Sequence, residues 1–308
     1  MRILVTGASG YVGAALAPRL ARDGHAVRGF ARSAERVRAA GAVFDDLVLG
    51  DASTGAGLDR ALDGIDVAYY LIHSMEGPAA GAFADEERRQ AERFAVTAAK
   101  AGVQRIAYLG GLLPQDGALS RHLASRLAVE EALLAAAPES VALRASIVIG
   151  ARSRSFRFLV RLLERLPVLA LPAWRVNRTQ PIDGRDVLEF LAAAATLPAS
   201  SSGRSWDIAG PDAMSYAEML QRIADAMMIS RPSLGLNFTL TPIASVMAAA
   251  VAGEDVGLIE PLMESLEHDL LPRDDGAADA FGVRLHRFEP AVERALFELE
   301  QLEEVAAR

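Results

Sequence analysis

A glycine-spaced turn placed directly after an apolar strand constrains this chain more than any other feature. Ile3-Leu4-Val5 is too apolar to face water, so it reads as a buried strand. Thr6-Gly7-Ala8-Ser9-Gly10-Tyr11-Val12-Gly13 then sets glycines at the spacing G-x-x-G-x-x-G, and Tyr11 to Arg22 reads as a helix ended by Gly24. Gly7 permits the tight turn out of the strand, Gly10 lets backbone approach a pyrophosphate, and Gly13 lets the helix pack closely on the sheet. The helix amino terminus, with Ser9, Tyr11 and Val12 around it, supplies free N–H groups and a positive dipole end. A turn of this kind between strand and helix points to a bound dinucleotide.

The rest of the first 150 residues repeats the strand–helix rhythm. Strands are expected at His25–Arg32, Asp45–Gly50, Val67–Ile72, Arg105–Gly110 and Val141–Gly150, with a helix from about Ala84 to Ala101. Pro18 lacks the N–H of an ordinary helical residue and should kink or loosen the first helix. After Gly150 the pattern changes: Arg152 to Arg165 is arginine-rich, and Leu166 to Pro172 is apolar with prolines, which suggests a lid or loop. Asp183 should cap another helix, and Ser205 to Ile208 reads as a last strand. The expectation is an α/β fold of Rossmann type, a doubly wound parallel sheet with a small, mostly helical carboxy-terminal substrate or lid region. Residues 1–212 form the nucleotide-binding domain, with a lid-like insertion at about 151–180, and 213–308 the helical region.

Cofactor choice is read at the end of the second strand. The segment Gly29-Phe30-Ala31-Arg32-Ser33 offers no carboxylate for a ribose 2′-hydroxyl, whereas Arg32, with Arg36 a turn later, can pair with a 2′-phosphate. NADP(H) is therefore expected over NAD(H), with a solvated arginine face as the plain alternative. Asp51 and Ala52, after the third strand, would lie near the adenine; Asp51 could equally be a turn residue.

Composition excludes several classes. With no cysteine the chain has no thiolate nucleophile, disulfide or thiolate metal site, and no metal centre is expected. A formal net charge of −8, with two tryptophans and five tyrosines, argues against a nucleic-acid partner. No apolar run approaches the roughly 20 residues of a membrane helix, and Met1 leads straight into the first strand, so a cytoplasmic protein with a small-molecule substrate is expected. Leu234 to Val251, an apolar stretch broken by Pro242, reads either as a lid over the substrate or as the subunit interface of a homo-oligomer.

Thr6 to Gly13, together with Tyr69-Tyr70-Leu71-Ile72-His73-Ser74-Met75, Tyr108-Leu109-Gly110-Gly111-Leu112 and Arg144-Ala145-Ser146-Ile147-Val148-Ile149-Gly150, resembles the atypical and extended short-chain dehydrogenase/reductase superfamily over roughly residues 1–212. Within it the resemblance is to the NAD(P)H-binding subgroup that is NmrA-like or like NAD-dependent epimerases and dehydratases. It implies that Leu71, Ile72, His73, Gly110, Gly111 and Ala145 lie along the cofactor. Active members use Tyr-x-x-x-Lys with a nearby serine or threonine. This chain has His122-Leu123-Ala124-Ser125-Arg126 in that register, and Gly110 and Gly111 where the hydroxyl is expected. His122, Arg126 and Glu130, spaced by four, share a helix face. His122 could be a proton donor and Arg126 could hold the ribose, in which case activity should fall as pH rises through a histidine titration that the Arg126 charge pushes below the unperturbed value of about 6.5. The bland alternative is a surface helix carrying an Arg–Glu pair. His73 could reach ribose or substrate, or simply bond to backbone.

Arg152, Arg154, Arg157, Arg175 and Arg178 could bind an anionic substrate or lie on solvated surface, and Phe156, Phe158 and Trp174 could line a pocket or pack in a core. Three functions are compatible with this reading. The first is an NADP(H)-dependent oxidoreductase on a small carbonyl, quinone or enone without the Tyr-Lys pair. The second is a non-catalytic NADP(H)-binding redox sensor or assembly protein, as among NmrA-like sensors and an accessory subunit of respiratory complex I. The last, ranked lowest without the tyrosine, is a sugar-nucleotide epimerase or dehydratase.

Overall fold

A computed structural model describes residues 1–72, 80–116, 119–236 and 266–303. Strand and helix alternate from the start: β1 (Arg2–Thr6), α1 (Tyr11–Arg22), β2 (Ala26–Ala31), α2 (Ala34–Ala39), β3 (Asp46–Leu49), α3 (Leu58–Leu62), β4 (Val67–Tyr70), α4 (Ala80–Lys100), β5 (Arg105–Gly111), α5 (Arg121–Leu134) and β6 (Val141–Ala145). Short strands β7 (Val148–Ile149), β8 (Leu169–Leu171), β9 (Arg178–Thr179) and β10 (Ile182–Asp183) flank α6 (Arg154–Arg165). The chain continues through α7 (Gly184–Ala194), β11 (Arg204–Ile208), β12 (Met214–Ser215), α8 (Tyr216–Ala226) and β13 (Ser233–Gly235) to the helices Ala277–Phe281 and Phe288–Glu300.

Seven strands form one parallel sheet in the order β11-β6-β5-β4-β1-β2-β3. Successive residues of each strand enter different cores, as the period of two requires. Ile3, Val5 and Tyr69 pack under α1 and α7, whereas Leu4 and Tyr70 pack under α3, α4 and α5. The Tyr69 hydroxyl donates to the Leu191 carbonyl at 2.6 Å, so a phenol buried in the first core keeps a partner. Because β1 and β4 are neighbours and the chain winds outward from each, the crevice between their carboxyl ends is the switch point where α/β sheets bind ligands.

Two local expectations change. The sixth strand stops at Ala145 rather than Gly150: Ser146 N still donates to the Ile208 carbonyl at 3.1 Å, after which the chain leaves the sheet and β7 pairs with β10. The arginine-rich segment expected to be lid or loop is a helix capped by Ser153, followed by a strand that pairs with β13. Its Phe156, Phe158 and Leu163, with Trp174, share one core with α8 and Phe288–Glu300, so the region around 151–180 packs with the carboxy-terminal part of the chain. Phe156, Phe158 and Trp174 are core residues. Helix α1 runs through Pro18, which lies on its exposed side. Of the apolar stretch from Leu234 to Val251, residues beyond 236 lie outside the described residues.

Candidate functional site

The glycine turn sits at the switch point, and its geometry explains each glycine. Gly7 has φ +64°, and a Cβ there would lie 2.5 Å from the Leu71 carbonyl oxygen at the end of β4. At Gly13 a Cβ would collide with the Gly7 carbonyl, so α1 can rest on the turn only with glycine there. Gly10 differs: it is exposed, donates to Gly7 O at 2.8 Å, and a Cβ would meet only that oxygen, at 3.1 Å. It is the N-cap of α1, with no capping side chain and no acid in the first turn. The first-turn amides of Tyr11, Val12 and Gly13 have no intrahelical acceptor, and such a terminus favours an anion. Buried Thr6 secures the turn: its hydroxyl donates to Tyr69 O at 2.9 Å and accepts from Leu71 N at 3.1 Å.

Tyr11 shows a role the sequence did not disclose. Its hydroxyl lies where a Cβ of Gly150 or of Gly184 would be, so both glycines are spaces left for this phenol. Burial pushes its pKa up to about 12, with Arg294 opposing, so the group stays a neutral wedge between α1 and the start of α7. Val12 packs against the core under α1.

A groove of about 430 Å³ opens beside the turn, lined by Ser9, Gly10, Tyr11 and Arg36 among others. Arg32 is exposed immediately beyond β2, and Ser33 caps α2, which carries Arg36. Asp51 accepts from the Ser53 amide at 2.9 Å and hydroxyl at 2.7 Å, the geometry of a turn residue. Burial opposes its charge, but those hydrogen bonds and the nearby Arg32 guanidinium hold its carboxyl below the ordinary value. Ala52 is buried in the core under α3 and α4.

Leu71 and Ile72 follow β4, Gly110 and Gly111 end β5, and Ala145 ends β6, all on the carboxyl edge of the sheet, with Gly111 registered against Ala145. His73 lies outside the described residues.

The stripe on α5 is real, but its members part company. Arg126, with its side chain 7% exposed, lies in the seam between α4 and α5, its Nη1 3.5 Å from Glu87 Oε1. Ser125 donates to the other Glu87 oxygen at 2.7 Å, and Tyr108 donates to the Arg126 carbonyl at 3.4 Å. Glu130 accepts from Arg144 Nε at 2.9 Å and from the Ser205 hydroxyl at 2.5 Å, and Arg144 also lies 3.8 Å from Asp207, which Arg273 bonds at 3.0 Å. The helix is therefore not a surface helix with an Arg–Glu pair of its own: both charges are buried and paired with other elements. His122, one turn before Arg126, is partly buried. Burial first and the Arg126 charge second push its pKa down to about 3; the Arg126 effect has the expected sign, burial adds the larger part, and the ring is neutral at neutral pH.

No tyrosine takes the place of a Lys-activated acid. All five are shifted up, chiefly by burial. The chain's one lysine, Lys100, is exposed at the end of α4, and no tyrosine precedes it by four residues. Among the other arginines, Arg175 donates to Leu236 O at 2.6 Å, Arg152 to Ala40 O at 3.2 Å and Arg157 to Glu303 at 2.6 Å. Among the described residues no cluster of potential metal ligands occurs, and no helix is long and apolar enough to cross a membrane.

Comparison with known proteins agrees with this geometry. Residues 7–146 match the NAD(P)H-binding family. The chain is 29% identical over 168 residues to NADH dehydrogenase [ubiquinone] 1 alpha subcomplex subunit 9, mitochondrial, of Arabidopsis thaliana, covering 54% of this chain but only 41% of that protein. It is 26% identical to ceramide reductase of Caulobacter vibrioides, covering 73% and 70% of the two chains. It is 28% identical to (4-alkanoyl-5-oxo-2,5-dihydrofuran-3-yl)methyl phosphate reductase of Streptomyces griseus, covering 86% of each. Among solved structures, UDP-glucuronic acid 4-epimerase from Bacillus cereus, in complex with UDP-glucuronic acid and NAD, superposes with a TM-score of 0.74 at 16% identity, covering 98% of this chain and 100% of that one, a likeness of fold. Residues 7–146 thus resemble an NAD(P)H-binding domain, and the likeness to the solved structure is one of fold.

Proposed function

We propose that this chain is an atypical member of the short-chain dehydrogenase/reductase superfamily and an NADP(H)-dependent oxidoreductase acting on a small carbonyl, quinone or enone. One observation carries the cofactor reading: an uncapped helix terminus at the switch point opens on a groove lined by Arg36, with Arg32 beside it at the end of β2. Exposed Gly10, where a side chain would fill the approach to the α1 amides, fits a pyrophosphate. In this reading Ser9, Gly10 and the amides of Tyr11, Val12 and Gly13 hold the pyrophosphate, and Arg32 and Arg36 hold the 2′-phosphate. Asp51 serves the adenine end through its turn; Leu71, Ile72, Gly110, Gly111 and Ala145 border the nicotinamide half, with His73 after them. Bound there, the cofactor supplies the hydride. His122, held neutral, would donate a hydrogen bond from its N–H to the substrate oxygen, and the proton that the reduced substrate takes up would come from solvent. Arg126 acts on it at a distance by keeping it neutral. The two reductases that match most of their own length support an enzyme of this class.

A second reading, a non-catalytic NADP(H)-binding sensor or assembly protein, is favoured by one observation: Arg126, which would replace the ribose-holding lysine, is committed to Glu87 in the α4–α5 seam. Following NADPH absorbance against a panel of carbonyls, quinones and enones separates the two. The enzyme reading expects turnover with at least one class and a loss of about a hundredfold or more in His122→Phe, the scale of removing one hydrogen-bond donor to a developing oxyanion. Tight NADPH binding without turnover on any class would leave the sensor, and undiminished turnover in His122→Phe would remove that residue from the mechanism.

A further inference from the structure

The groove beside the glycine turn has a second wall that lies outside residues 7–146. Arg152, just before α6, and Arg157, on it, line it together with Glu303 from the turn after Phe288–Glu300. Three guanidinium groups, counting Arg36, share the lining with the single carboxylate of Glu303, so this groove is cationic in a chain of net charge −8. Arg157 Nη2 donates to Glu303 Oε2 at 2.6 Å, and Arg161 Nη2 lies 3.6 Å from the same oxygen. Arg157 Nε is buried and has no hydrogen-bond partner among the described residues. Arg152 ties this wall to the end of α2 by donating to the Ala40 carbonyl at 3.2 Å.

We propose that Arg157 is a further ligand for the cofactor's 2′-phosphate, and that Glu303 is a built-in stand-in for that phosphate, holding Arg157 until the nucleotide displaces it. The proposal rests on the NADP(H) reading above. A carboxylate and a phosphate compete for the same guanidinium, and the phosphate brings more charge and a third acceptor oxygen. Glu303 engages only Nη2 of the Nε–Nη2 edge of Arg157, so a phosphate that took both nitrogens would satisfy a buried donor that is now unpaired. Both partners are about one-third exposed, at 32% and 33%, so their pairing is weak enough to exchange.

The two side chains then have opposite effects on one quantity, which a merely structural contact would not produce. Calorimetric titration of adenosine 2′,5′-bisphosphate and adenosine 5′-monophosphate into the full chain reads the 2′-phosphate site without any turnover. Arg157→Ala should weaken the bisphosphate by about tenfold or more and leave the monophosphate unchanged. Glu303→Gln should tighten the bisphosphate severalfold, again sparing the monophosphate. Equal weakening of both nucleotides in both variants, or no change in either, overturns the proposal. A preference for the bisphosphate that survives both variants but vanishes in Arg32→Ala overturns it while leaving the NADP(H) reading intact. Equal affinity of the unmodified chain for both nucleotides overturns both.

Discussion

Glu87 and Arg126 meet with side chains 1% and 7% exposed, so removing either strands a buried charge, at a cost of about 3–5 kcal/mol. Arg126→Leu should lose stability on that scale in thermal or denaturant unfolding, and Glu87→Leu combined with Arg126→Leu should recover most of it, while NADPH affinity stays within severalfold of the parent. A stable Arg126→Leu protein that no longer binds NADPH would return Arg126 to the ribose. His122 makes a pH prediction of definite sign. Its folded pKa, about 3, lies below the unfolded value of about 6.5, so between the two the unfolded chain binds more protons. The stability it contributes is complete above about 6.5 and is lost as pH falls toward 3. His122→Phe should flatten the stability profile in that window, and NMR titration of the ring should find it neutral at pH 5; a midpoint near 6.5 would contradict this. The i, i+4 spacing made the stripe of His122, Arg126 and Glu130 legible in the sequence. Their partners Glu87 and Arg144 come from α4 and β6, contacts that no local spacing encodes.

At the scale of elements, the β1–α1 unit was legible almost to the residue, because an apolar triplet, a glycine turn and a helical pattern all agree locally. The same turn separates two kinds of glycine. Gly10→Val should leave a folded chain, since only the Gly7 carbonyl lies near, yet abolish NADPH binding by filling the approach to the helix amides. Gly13→Ala places its Cβ against the Gly7 carbonyl and should cost about 1–3 kcal/mol of stability as well as binding. Circular dichroism and calorimetry on the same samples distinguish the two, and NADPH binding retained by Gly10→Val would make the loop a turn and nothing more. Gly150 and Gly184 were opaque by contrast. Their need for glycine comes from the Tyr11 hydroxyl, more than 100 residues away in the chain. Helix α6 was hidden in the sequence because prolines and arginines crowd the segment, whereas Phe156, Phe158, Val160 and Leu163 bury one face of it.

Across the whole molecule, two cores clothe the faces of the parallel sheet, and another joins α6, α8 and Phe288–Glu300. That joining brings Arg157 and Glu303 to the groove beside Gly10, a meeting of chain beginning, middle and end that only tertiary packing creates. It also means that the groove's character belongs to the full chain and not to residues 7–146 alone. In the proposed function this groove and the end of β2 select a nucleotide carrying a 2′-phosphate. The most direct test of that selection is a pair of calorimetric titrations, NADPH and NADH into the full chain and into Arg32→Ala. NADPH should bind about one to two decades more tightly than NADH, the worth of a charge-assisted contact of about 1.5–3 kcal/mol, and Arg32→Ala should erase most of that difference. Equal affinities in the unmodified chain, or a preference untouched by Arg32→Ala, would contradict it.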